Sequence, residues 1–280
     1  MKEFVNESKI NPEHASLLEA SLNLVPDKNG LYKEAETGEL FIEIASHPEK
    51  QRFVSSLLKG IINSAEIVHV NGKYFSHVQQ FDNLDPKSTE DFKAEIDADT
   101  FILSKVFGDT DHKFYVDDDE LNSERTPYGI NARPRDIVAG EHKNLVVDDD
   151  NSKKYFFDFG EAFWNSYATY QMDWFTSEEG RTGFRNYILK ELINDRYISD
   201  NTEKVFEIIY RKAEELNSRL DSKDFFNAIM DKSQLDLKKE FGVFMHQEDP
   251  NSVLFDQIKN RCEIILKALQ ELKLKTQKIG

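Results

Sequence analysis

Between Gly30 and Phe81 the hydrophobic pattern is that of paired strands, and beyond about residue 180 it is helical throughout. The two periods cannot share one layer, because strand side chains repeat at two residues and helix side chains at three to four. GLYKEAETGELFIEIA predicts two short strands around Glu36-Thr37-Gly38, and AEIVHV and KYFSHVQQF flank Asn71-Gly72, a strong hairpin signal. Between them Pro48 opens a helix with Phe53, Leu57, Leu58 and Ile61 on one face and Gly60 near its end. Residues 1–22 also carry helical spacing in Ala15, Leu17, Leu18 and Leu22. After Asp82 the texture changes. STEDFKAEIDADTFILSKVFG predicts a helix capped by Ser88, and further helices are expected over roughly 180–195, 202–218, 222–240 and 252–275. The last has a stripe of Leu254, Ile258, Ile265, Leu266, Leu269 and Leu272, with Cys262 on it as a packing residue. The expected class is α+β, with a small β-rich part over 1–82, a hinge near Gln79–Asp82 and a larger, mostly helical part over 83–280.

Composition narrows the partners. In 280 residues, 36 Lys and Arg stand against 52 Asp and Glu, a net charge of −16, so a field that attracts nucleic acid or anionic membrane is not expected. A single cysteine excludes a disulfide framework and a cysteine-based zinc site. No apolar run reaches the length of a membrane span, and MKEFVNESKINPEH lacks a secretory core, so stable membrane insertion is not expected. The chain is expected to work as a monomer in the cytoplasm, or in a host cell cytosol if it is a delivered effector.

One constellation suits phosphoryl transfer, which needs metal ligands, an acceptor-side carboxylate and a cation on the phosphates. Asp158 follows the strand Tyr155–Phe157 and precedes Phe159-Gly160, while Asn144 opens the strand Leu145–Val147. A hairpin joining those strands brings Asn144 and Asp158 to one end, where both offer hard oxygen ligands to one divalent ion. Upstream, Gly108-Asp109-Thr110-Asp111-His112 closes a helix and supplies candidate bases.

GDTDH, then HKN followed by LVV, then FFDFGEAF resembles the kinase-fold superfamily. It is most similar to the atypical branch that includes phosphoinositide kinases, HipA-like kinases and kinase-like effectors of intracellular bacteria. The resemblance spans about Gly30 to Phe163 and implies a two-lobed protein-kinase-like fold, ATP, and Mg²⁺ or Mn²⁺. It makes Asp111 the catalytic aspartate, supported by Asp109 and His112, with Asn144 and Asp158 as metal ligands. Lys33 and the hinge residue Gln80 are the implied nucleotide contacts. The acceptor it implies is a Ser or Thr hydroxyl of a protein substrate.

The pattern also departs from that family. Val116 stands where the asparagine is expected, so residues 113–141 read as an insertion splitting the catalytic loop. A second alignment uses Glu141 of Glu141-His142-Lys143-Asn144 as the acceptor-side carboxylate; Asp111 is preferred because its motif follows the helix directly. The third strand, Glu39–Ala45, has no lysine, and the next helix carries Val54-Ser55-Ser56-Leu57 where a glutamate is expected. Lys33, on the preceding strand, is the substitute cation. Lys113, Arg125, Arg133, Arg135, His142 and Lys143 form a basic set in an acidic chain. Either they pair with Glu124, Asp136 and Glu141, or they bind an inositol polyphosphate that orders the split loop. Two other functional classes stay open: a phosphoinositide or inositol kinase, and a pseudokinase scaffold or binding module.

Overall fold

Both expected hairpins form, and they join in one antiparallel sheet. The structure is a computed structural model, and it describes residues 22–27, 30–78, 89–109, 145–147, 154–156, 158–163, 177–193, 202–237, 239 and 249–276. The expected helix over 1–22, the hinge Gln79–Asp82 and the insertion 113–141 lie outside the described residues, Leu22 apart. The five strands are β1 (Leu24–Pro26), β2 (Leu31–Glu34), β3 (Leu40–Glu43), β4 (Ile67–Val70) and β5 (Lys73–Val78), in the order β1-β2-β3-β5-β4. β1 is an addition to the sequence expectation, a short edge strand that ends on Pro26, where a proline costs no ladder bond. Asn71 and Gly72 both take positive φ, 52° and 78°, the geometry of a two-residue I′ turn. In the β2–β3 turn the Glu34 carboxylate accepts from the amides of Glu36 at 2.8 Å and Thr37 at 2.5 Å.

Register assigns the sheet two distinct faces. Tyr32 opposes Phe41, Phe41 opposes His77, and Val68 opposes Phe75. These side chains share one face, where Phe41, Val68, Val70 and Phe75 form a small core with Leu22, Leu24 and Tyr32. The other face carries Val25, Leu31, Lys33, Leu40, Ile42, Ser76 and Val78. It stays open at its β1–β3 end, where Val25 is 41% and Ile42 48% exposed.

Helix α1 (Pro48–Leu58) connects β3 to β4, yet Phe53, Val54, Leu57 and Leu58 belong to the large helical core. That core is completed by α2 (Thr89–Val106), α3 (Glu178–Ile193), α4 (Thr202–Arg219), α5 (Lys223–Ser233) and α6 (Pro250–Thr276). Aromatic rings run through it in series: Phe107 on Phe163 at 5.9 Å, Phe163 on Phe53 at 6.2 Å, Phe53 on Phe226 at 5.5 Å, and Phe226 on Phe255 at 5.3 Å. The helix expected over 222–240 is broken after Ser233. Gln234 turns left-handed there, φ 57°, Leu235 enters the core, and Leu237, also buried, is helical again. Strands β6 (Leu145–Val147) and β7 (Lys154–Phe156) pair as expected, with β7 one residue earlier because Val147 registers on Lys154. Among the described residues no helix is long and apolar enough to cross a membrane.

The core also contains charge. Asp99 of α2 is fully buried and pairs with both Lys154 of β7 and Lys212 of α4. Burial opposes ionisation of Asp99, but the two ammonium groups outweigh it and hold the carboxyl below its ordinary value. Two cations sharing one anion leave Lys154 as the group that burial, with repulsion from Lys212, holds below the ordinary lysine value. Arg261 is likewise buried, donating to the Lys105 carbonyl at 2.8 Å and lying over the Phe184 ring at 5.0 Å.

Removing one member of the triad leaves charge stranded, so Asp99→Ala is expected to cost about 3–5 kcal/mol in urea unfolding. Converting all three positions to apolar residues of similar volume should recover most of that loss, whereas no recovery would show that the charges contribute more than their burial costs. Burial also pushes the Cys262 thiol up to about 12. A thiol reagent at neutral pH should therefore label Cys262 only after denaturation.

Candidate functional site

Asp158 stands two residues beyond the end of β7, at a junction of three segments. Its φ of 56° and ψ of 67° are left-handed, and it caps the 3₁₀ turn Phe159–Glu161. Five non-glycine residues have positive φ among the described residues. Asn71 and Gln234 are explained by a hairpin turn and a helix end. The other three, His47, Asp158 and Phe163, lie on the segments that meet here. Such outliers persist only where surrounding structure determines them, and they concentrate at functional sites.

The strand leading to Asp158 is fixed on several sides. Phe156 donates its amide to the Asn63 carbonyl at 3.0 Å, and its own carbonyl accepts from Ala65 at 2.8 Å. The Asn63 side chain donates to the Lys154 carbonyl at 2.5 Å, and Lys154 is tied to Asp99. Beyond the turn, the Phe163 amide donates to the Phe107 carbonyl at 2.7 Å, which brings the end of α2 against the Asp158 turn. Phe156, Phe159 and Phe163 are all buried, so the turn is anchored by apolar side chains on both sides.

The Asp158 carboxylate itself is half-buried. Its Oδ1 accepts from Gln51 Nε2 at 3.1 Å and from the Gly160 amide at 3.3 Å. Oδ2 accepts no hydrogen bond from the described residues. A carboxylate with one oxygen held and the other presented is suited to a hard cation such as Mg²⁺ or Mn²⁺. Asp158 cannot supply a metal site alone: among the described residues no group of three or more His, Cys, Asp or Glu side chains is placed to hold an ion.

Asp109 is fully buried at the end of α2, after Gly108 at φ 63°, and its amide donates to the Leu103 carbonyl at 3.1 Å. Lys33 lies exposed on the open sheet face. Its Cε would be 3.3 Å from a Cβ placed on Gly38, so the side chain runs along the β2–β3 turn. On that face Leu31 opposes Ile42 and Lys33 opposes Leu40, so β3 presents Ile42 rather than a cation. Gln80, Asp111, His112, Lys113, Arg125, Arg133, Arg135, His142, Lys143 and Asn144 lie outside the described residues. Leu145, which follows Asn144 in sequence, opposes Phe156 in the register.

Sequence reasoning missed Gln51. The resemblance directed attention to Val54-Ser55-Ser56-Leu57 and to a missing carboxylate, whereas the contact comes from a carboxamide one turn earlier. Gln51 is buried beside Lys50 and Arg52, but a run of three polar residues reads in sequence as a solvated helix face, so no local signal marked it. Comparison with protein-family models, curated proteins and solved structures returns no match to this chain.

A Cβ on Gly160 would lie 3.0 Å from Asp158 Oδ1 and 3.5 Å from Gln51 Nε2. Gly160→Ala is thus expected to push the carboxylate off Gln51 and to cost about 1–3 kcal/mol in denaturant unfolding. An unchanged midpoint would mean that the turn has slack.

Proposed function

We propose that the chain is a phosphotransferase of the atypical kinase-like class, with ATP and a divalent ion as co-substrate and cofactor and a protein hydroxyl as acceptor. The observation that carries the reading is the Asp158 turn. A strained aspartate follows a clamped strand, presents one carboxylate oxygen that no described residue bonds, and is held by the helix between the third and fourth strands. A two-lobed arrangement of small sheet and larger helical body is the fold this reading requires, and the separate sheet and helical cores are compatible with it.

In this reading Asp158 and Asn144 hold the metal, which neutralises the phosphate oxygens as charge develops on transfer. Asp111 accepts or orients the acceptor proton, and Asp109 fixes the loop from its buried position. The open sheet face offers Val25, Leu31, Leu40 and Ile42 as an apolar bed for a planar base, with Lys33 the cation on the same face. A basic insertion that binds an inositol polyphosphate would order the segment between Asp111 and Asn144. One observation favours a second reading, a scaffold that binds nucleotide without turnover. β3 presents Ile42 and α1 presents Gln51, so no lysine–glutamate pair steadies the phosphates.

Incubation with γ-labelled ATP, Mn²⁺ and generic acceptors separates these readings. Label on protein is expected, falling by about a hundredfold or more in Asp158→Asn. Label confined to inositol lipid would reassign the acceptor, and metal-dependent nucleotide binding without transfer would favour the scaffold. Transfer unaffected by Asp158→Asn would overturn the proposal.

A further inference from the structure

Gln51 is the least expected member of the Asp158 junction. Its Nε2 has two partners, the Ser46 carbonyl at 2.8 Å and Asp158 Oδ1 at 3.1 Å. Both accept hydrogen bonds only, so the nitrogen end of the amide must face them. The residue is 4% exposed, which keeps water from competing for these bonds.

Its helix is also held at several points. Ser55 donates to the Ala65 carbonyl at 2.5 Å, and Arg219 of α4 donates to the Leu57 and Lys59 carbonyls at 3.3 and 2.5 Å, capping the C-terminal end of α1. Phe53 anchors the middle in the helical core. Glu49, in the first turn, pairs with Lys239 at 3.4 Å. The donor therefore sits on a fixed support and not on a loose side chain.

The chemistry distinguishes an amide from either charged alternative. A lysine at this position would compete with a metal for the carboxylate, and a glutamate would repel it. A neutral donor restrains Oδ1 and leaves the negative charge available to a cation at Oδ2. We infer that Gln51 is a positioning residue that sets the Asp158 carboxylate for its metal ion, in place of any charged pair reaching from α1. The inference rests on the phosphotransferase reading and assigns this chain's own means of organising that site.

The test uses the full chain, Mn²⁺ and a non-hydrolysable ATP analogue, with bound metal followed by electron paramagnetic resonance. Gln51→Met keeps length and packing but removes the donor. It is expected to weaken Mn²⁺ binding by about tenfold, with excess Mn²⁺ restoring occupancy. The wild-type chain supplies an independent signature: the Gln51 side-chain amide resonance should shift when Mg²⁺ and the analogue are added. If Asp158→Asn loses the metal while Gln51→Met keeps wild-type affinity, or if the amide resonance does not move, this inference fails and the phosphotransferase reading stands. If Asp158→Asn binds metal as tightly as wild type, the broader reading fails and takes the inference with it.

Discussion

The structure depends on how one strained aspartate is kept in place. Asp158 adopts a left-handed backbone that costs free energy for any residue with a Cβ, so neighbouring contacts must compensate. Apolar burial of Phe156, Phe159 and Phe163 supplies the anchor, main-chain bonds to Asn63 and Ala65 set the register, and Gln51 restrains the carboxylate. These contacts come from segments far apart in sequence. The geometry of the site is consequently a property of the whole helical core and of α1, not of the local tripeptide.

The same core explains why α1 matters. It lies between two strands of the sheet, yet its apolar face packs with α5 and the Asp158 turn, through Phe53 on Phe226 and on Phe163, and Arg219 caps it from α4. Tyr74 reinforces the link from the sheet side, donating to Gln234 at 3.2 Å and lying 5.9 Å from the Arg52 guanidinium. The Asp99 triad performs a comparable task for β7, joining that strand to α2 and α4 through buried charge. Ionic contacts of this kind add little net stability, because desolvation offsets attraction, but they penalise alternative packings that would leave a charge without its partner.

Local patterns in the sequence were sufficient for the two hairpins and for the presence, though not every end, of the described helices. Asn71-Gly72 demands positive φ at both positions, and Phe53, Leu57 and Leu58 can only be reconciled with a helix face that is buried. The β1 strand was not legible, since LVP is too short to show a period, and the stop at Ser233 depends on Leu235 and Leu237 being drawn into the core. Buried Arg261, Lys105, Lys154 and Lys212 were hidden for a related reason. A charged residue in a helix or strand is ordinarily assigned to solvent, and only tertiary pairing can reverse that. At the candidate site Asp158 was readable from its neighbours, whereas Gln51 was not, because its partner lies across the fold and no spacing rule connects them.

The central claim is that Asp158 presents a carboxylate oxygen to a divalent ion beneath a nucleotide. A crystal structure with Mn²⁺ and a non-hydrolysable ATP analogue, phased to show the manganese anomalous signal, examines that directly. The account predicts an anomalous peak about 2.0–2.3 Å from Asp158 Oδ2, with Asn144 on the same ion. Nucleotide bound with its metal remote from Asp158 would contradict it.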